Sequence, residues 1–285
     1  MTSTTVPRWQ RGSTVLLALL TTAVVLLGFA RPDRYPPAIR TQLVVQDVLV
    51  LVVGVPALLL GVWYAARGST AGRVVWLGAL AYAAYVWLST GLQVPFTRFF
   101  LAYAGLFALS LFTLIGGVLA TDPEALRSAL EDRLPDRLYA GALAVIAGGL
   151  ATLWLAELVP ATISATPPAL AAETGPQALV SHFLDLTLVV PGLAITAGLL
   201  WRKRPWGYTL AGVGVVFGAL LAPTITGATV ALLFVGSVTV PAVAVVFTVL
   251  PAVLAVALAV GYLRSLAGGG HDPADRPAGA TDAPR

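Results

Sequence analysis

Polar residues in this chain fall in short clusters that separate long apolar runs. A helix that crosses a bilayer needs about 20 predominantly apolar residues. The runs 13–30, 43–66, 74–92, 99–120, 138–159, 179–201, 208 to about 235, and 240–266 meet or approach that length. They predict an all-α fold: a polytopic membrane helical bundle of about eight transmembrane helices. One segment breaks the pattern. In 121–137, Leu126, Leu130 and Leu134 recur every four residues with acids and arginines between them. That spacing predicts a short amphipathic helix lying at the membrane surface as a connector. Thr121 and Glu124 fit a capping box at its start.

Two stretches admit a second reading. Residues 208–266 contain Pro223, Gly227, Pro241 and Pro251 and have room for three short crossings in place of two. The first run ends in Gly28-Phe29-Ala30, which resembles a signal-peptide cleavage site. Its length, and the counterpart it finds in the second half of the chain, favour a retained span. Residues 160–177 form the longest polar loop between spans. The tail 267–285, rich in Gly, Pro, Ala and Asp, predicts disorder.

Composition sharpens the class. The chain is 58% hydrophobic and 11% charged, whereas a soluble domain carries about a quarter charged residues. The lipid bilayer is therefore its first partner. The net charge of +4 does not point to nucleic acid, because the cations sit at the ends of apolar runs and form no stripe. With no cysteine and two histidines, the sequence excludes disulfides, thiolate catalysis and a bis-histidine haem. Lys203, the one lysine, stands in a basic loop, which excludes a retinal Schiff base within a helix. There is no nucleotide-binding loop and no zinc-protease or serine-hydrolase motif. No cofactor and no metal site are expected.

Charge placement orients the bundle. With the N-terminus inside, 13 of the 17 Lys and Arg residues fall on cytoplasmic segments; Arg31, Arg34, Arg40 and Arg98 fall outside. The positive-inside rule then places both termini in the cytoplasm of a cell-membrane protein.

The second and sixth spans resemble each other. Asp47 precedes Trp63 by sixteen residues, and Asp185 precedes Trp201 by sixteen. Each pair brackets a proline, Pro56 or Pro191, and each helix runs into a basic turn and a Gly-led apolar helix. This predicts a 4+4 internal repeat of parallel orientation. The domains are then 1–12 as a cytoplasmic N-terminal segment, 13–120 as the first half, 121–137 as the connector, 138–266 as the second half, and 267–285 as the tail.

An ionisable group at bilayer depth is a functional-site candidate. Asp47, Gln46, Glu157, Asp185, His182 and Arg98 all lie in the outer half of the bundle. They suggest an outward-facing pocket between the halves. Asp47, Glu157 and Asp185 would supply negative charge, His182 would titrate, and Arg98 would neutralise a carboxylate or hold an anionic head group. Pro56 and Pro191 would free the carbonyls of Val52 and Thr187. Each acid could equally pin the bundle through a Tyr, Ser or Trp of a neighbouring helix. The GxxxG at Gly214 and Gly218 speaks for close helix packing.

The segments QDVLVLVVGVPALLLGVWYAARGSTAGRVVWLGALAY and TRFFLAYAGLFALSLFTLIGGVLA resemble stretches of uncharacterised prokaryotic multi-pass membrane proteins. The resemblance covers roughly the first half and implies no activity. The leading expectation is a protein that binds or transports a small polar solute, an ion or a lipid head group. The alternatives are an intramembrane enzyme acting on a lipid, with His182 and Asp185 as acid–base pair and Ser181 or Ser89 as nucleophile, or a non-catalytic membrane scaffold.

Overall fold

Backbone groups in lipid must be satisfied within the chain, so apolar runs of this length fold as helices. A computed structural model describes residues 6–31, 34–235 and 242–267; the expected disordered tail lies almost wholly outside the described residues. The helices are α1 (Arg8–Phe29), α2 (Arg40–Leu49), α3 (Val55–Ala66), α4 (Thr70–Gln93), α5 (Phe100–Leu119), α6 (Pro123–Leu130), α7 (Asp136–Ser164), α8 (Ala169–Thr174), α9 (Leu179–Leu184), α10 (Val190–Trp201), α11 (Pro205–Val235) and α12 (Ala242–Ala267). Among the described residues, eight helical stretches have the length and apolarity to cross a membrane. The chain is an all-α polytopic bundle, and Pro205–Val235 and Thr248–Ala267, in α11 and α12, are the last two of these stretches.

Pro223 does not interrupt α11. Next to it, the Thr224 hydroxyl donates to the Leu220 carbonyl at 2.9 Å, one residue beyond the Ala219 carbonyl that the proline leaves without its N–H partner. The expected loop 160–177 is partly helical too: α7 continues through Pro160 to Ser164.

At the centre, α4 packs on α3, α5 and α11. Its Trp76, Leu77, Leu80, Tyr82 and Trp87 are completely buried. Gly78 allows the close crossing with α11, since a Cβ there would fall 2.5 Å from that of Val216. The first span belongs to this core. Leu17 and Val25 of α1 are buried, and the Trp76 indole donates to the Thr14 hydroxyl at 2.9 Å.

The amphipathic connector is more buried than a surface helix. Leu126, Leu130 and Leu134 pack into a cluster with Tyr139, Leu143, Tyr208 and Val215. Its cap is Asp122 and not Thr121. The Asp122 carboxylate accepts from the N–H groups of Glu124 and Ala125 at 3.0 and 3.2 Å, while the Thr121 hydroxyl turns back to the Gly117 carbonyl.

In the second and sixth spans the proline follows a π-helical turn, at Val50–Gly54 and at Asp185–Val189. The Val55 N–H bonds to the Val50 carbonyl, and the Val190 N–H to that of Asp185, five residues back. Each helix thus absorbs its proline by taking in one extra residue.

Several backbone features recur 135 positions apart. Pro56 matches Pro191, the two π turns match, and α3 and α10 match at both ends. Beyond them Gly68 and Lys203 both take positive φ, at 86° and 53°, and Gly72 and Gly207 each lie against the backbone of the preceding helix. α1 and α7 also end at the same register, Phe29 and Ser164. Asp47 and Asp185 do not share this spacing: 135 positions after Asp47 stands His182, and 135 before Asp185 stands Val50.

Candidate functional site

Asp47 lies on α2 one turn before the π turn and is 1% exposed. The loop ahead of α2 folds back over it. Arg34 forms an ion pair with Asp47 through Nη2 and donates through Nη1 to the Val24 carbonyl at 3.0 Å. The Tyr35 hydroxyl donates to the same Asp47 oxygen at 2.9 Å. Burial, with Asp47 adding to it, pushes the Tyr35 hydroxyl well above its ordinary range, so it stays protonated and donates. The guanidinium carbon lies 4.3 Å from the centre of the Tyr35 ring and 5.6 Å from that of Phe99. Gly28 makes room for it, because any Cβ there would collide with the guanidinium. This cluster is closed and its charges are balanced.

The second cluster is built differently. Asp185 opens the other π turn. One of its oxygens accepts from the Tyr85 hydroxyl of α4 at 2.7 Å, the other from the Trp154 indole of α7 at 2.9 Å. Three residues earlier, His182 places Nε2 3.2 Å from Glu157 and Nδ1 3.2 Å from the Ala178 carbonyl. Its ring centroid is 3.9 Å from that of Trp154. Asp185 therefore joins three helices through neutral donors.

This second cluster borders a cavity of about 280 Å³ between α2 and α4 on one side and α7, α9 and α11 on the other. The lining repeats with the 135-residue spacing. Gln42 and Gln177, Leu43 and Ala178, Gln46 and Ser181, Ser89 and Thr224, and Gln93 and Ala228 all line it. Positions 135 residues apart thus face one space. The Gln46 amide donates to the Thr90 hydroxyl at 2.9 Å, and the Gln93 amide to the Ser89 hydroxyl. Toward the basic turns the space is closed by the bond between the Tyr82 and Thr224 hydroxyls, 2.9 Å, and by the packed side chains of α4.

Of the residues singled out in the sequence, the structure brings Gln46, His182 and Asp185 to the cavity wall. Glu157 stands behind His182 and reaches the cavity through it. Asp47 is next to Gln46 but turned away into its own cluster, so the two aspartates do not share a cavity. Arg98 is exposed and has no ion-pair partner among the described residues; Arg34 does the neutralising assigned to it. No hydrogen bond joins His182 to Ser181, Ser89 or Asp185 among the described residues, so no nucleophile and base are assembled. The carbonyl freed by each proline lies within a π turn, where the five-residue bonding changes which group is left over. No group of three or more metal-ligating side chains occurs among the described residues.

Sequence reading missed Arg34, Tyr35, Gln42, Gln177, Trp154 and Thr224. The signal for three of them was present as polar pairs at the spacing of Pro56 and Pro191. It also missed a polar cluster at the other end of the bundle. Asp136, assigned to the connector, is buried in the first turn of α7, where it accepts from the Tyr208 hydroxyl at 2.9 Å and lies 3.7 Å from Lys203.

No protein-family model matches the chain, and neither the curated proteins nor the solved structures yield a match.

Proposed function

We propose that the protein is a cell-membrane receptor or carrier component that holds a small polar solute in the cavity between two duplicated four-helix halves. The two halves share one orientation, about a pseudo-two-fold axis along the membrane normal that passes through the cavity. The observation that carries this reading is the lining itself: five pairs of positions spaced by 135 residues, several with amide or hydroxyl side chains, facing one space. A packing interface deep in a bundle is ordinarily apolar, and convergent polar groups around a void are how small-ligand sites are built. The distribution of arginine supports a cavity opening to the outer side with both termini cytoplasmic. The packed residues between the cavity and the basic turns favour binding from outside over passage through this conformation.

A scaffold reading draws on Asp47 and Asp185, each held by fixed neighbours. It accounts for the acids but leaves the cavity and its paired lining without a role.

The chain has no cysteine, so single cysteines report cleanly. Ser181→Cys, on the cavity wall, is expected to react with a membrane-impermeant maleimide added to intact cells. Ser128→Cys, exposed on α6, is expected to react only after lysis. The opposite pattern overturns the orientation. A Ser181→Cys that stays unreactive even after lysis overturns the open cavity.

A further inference from the structure

We infer that the solute held in this cavity carries a positive charge: a small organic ammonium compound. The inference rests on the cavity being a ligand site and adds its chemical class.

Three observations carry it. The first is the charge around the space. Asp185 and His182 are the acidic and basic side chains on the wall, and Glu157 stands behind His182. With His182 protonated the group is still net negative, and no lysine or arginine lines the cavity. An anionic solute meets repulsion there, and a cation meets attraction little weakened by solvent.

The second is the contrast between the two aspartates. Asp47 has its own guanidinium, Arg34. Asp185 stands on the cavity wall with no arginine to balance it. Its neighbours Tyr85 and Trp154 are neutral donors. A carboxylate at bilayer depth calls for a compensating charge, and the one nearby base, His182, is already shared with Glu157.

The third is the polarity of the remaining wall. Gln46 and Gln93 each engage the amide nitrogen with a protein hydroxyl, and each has its carbonyl oxygen available as an acceptor beside one remaining N–H. An ammonium group is all donor, so it suits acceptors of this kind, and the rings of Tyr85 and Trp154 beside Asp185 suit a cation as well. At about 280 Å³ the space is at the lower end of ligand pockets, near 300 Å³, so the solute is a molecule of a few heavy atoms.

A matched series tests the charge: 3-amino-1,2-propanediol, glycerol and glycerate, of equal length and bearing a cation, no charge and an anion. Each is titrated against the full chain in lipid nanodiscs, with the thermal unfolding midpoint as readout. The amine is expected to raise the midpoint by a few degrees at saturation and to bind at least tenfold more tightly than glycerol, with glycerate weakest. Asp185→Asn is expected to remove that tenfold preference. If this variant does not fold, the wild-type ranking decides alone. Glycerol or glycerate binding as well as the amine overturns the cationic class and leaves the cavity reading standing. No shift with any of the three, in a protein whose Ser181→Cys variant is reachable by maleimide, also overturns the cationic class. A Ser181→Cys that cannot be reached shows that the cavity reading itself has failed.

Discussion

The costliest single contact to lose is the one between Arg34 and Asp47, both almost fully buried. Removing one member of a buried ion pair leaves an uncompensated charge and costs about 3–5 kcal/mol. Arg34→Met is expected to destabilise the protein by that order. Adding Asp47→Leu is expected to recover most of the loss, because no charge is then stranded. Unfolding midpoints of the two variants in one detergent check both, and a double variant no better than the single one argues against the pair as the cause. Residues of this kind differ in how far the sequence betrays them. Asp47, His182 and Asp185 stand out because they interrupt apolar runs. Arg34 and Tyr35 sit among prolines and arginines in a connecting segment, where a polar residue is unremarkable. Their return over α2 is a tertiary event that no local pattern encodes. Asp136 was hidden in the same way, by the charged connector beside it.

At the scale of helices, the two hairpins α3–α4 and α10–α11 are tied by close approach. A Cβ on Gly72 would lie 2.7 Å from the Ala65 nitrogen, and one on Gly207 would meet the backbone of Leu199 and Leu200. Gly148 on α7 has nothing within 4 Å. Gly72→Ala and Gly207→Ala are each expected to cost about 1–3 kcal/mol, as overpacking does. Gly148→Ala is expected to change stability by less than about 0.5 kcal/mol. Equal effects at all three positions in a thermal unfolding series would show that helix propensity, and not approach, dominates. Helix existence was legible because 20-residue apolar runs in lipid leave the backbone no other choice. The π turns were not legible, since a proline in an apolar run is equally compatible with a kink. Asp47 and Asp185 are conspicuous for their equal spacing to a tryptophan, whereas the backbone features spaced by 135 residues, which set Asp47 against His182, carry no such signal in the sequence.

At the scale of the whole molecule, α6 is the hinge of the assembly question. Its leucines pack with Tyr139, Tyr208 and Val215 in the second-half core. A chain divided between Thr121 and Asp122 therefore keeps α6 with Tyr139, Tyr208 and Val215, whereas a division after Leu134 separates three leucines from them. Co-expressed 1–121 and 122–285 are expected to co-purify, and 1–134 with 135–285 to be recovered severalfold less. Equal recovery of the two pairs would show that α6 contributes little to the second half. The architecture of eight helices was readable from hydropathy alone. Of the cavity, Gln46, His182 and Asp185 were legible as intramembrane polar residues; the rest of its wall was not, because it is assembled from α2, α4, α7, α9 and α11, and only the fold brings them to one place.

The π turns have a consequence for how this chain can change over time. Each holds one residue more than an α-helical turn, and a substitution can neither add nor remove a residue. Only a deletion restores the α-helix, and it would swing everything on the N-terminal side by about 100°, turning Gln46 or Asp185 away from the cavity. Each π turn is thus a ratchet: once polar residues ahead of it have come to depend on the rotation it provides, the way back passes through loss of the site. Side chains around it are free to drift while the insertion stays. The two segments are then alike less in their residues than in a π turn ending two residues before a proline, with a positive φ twelve residues after that proline.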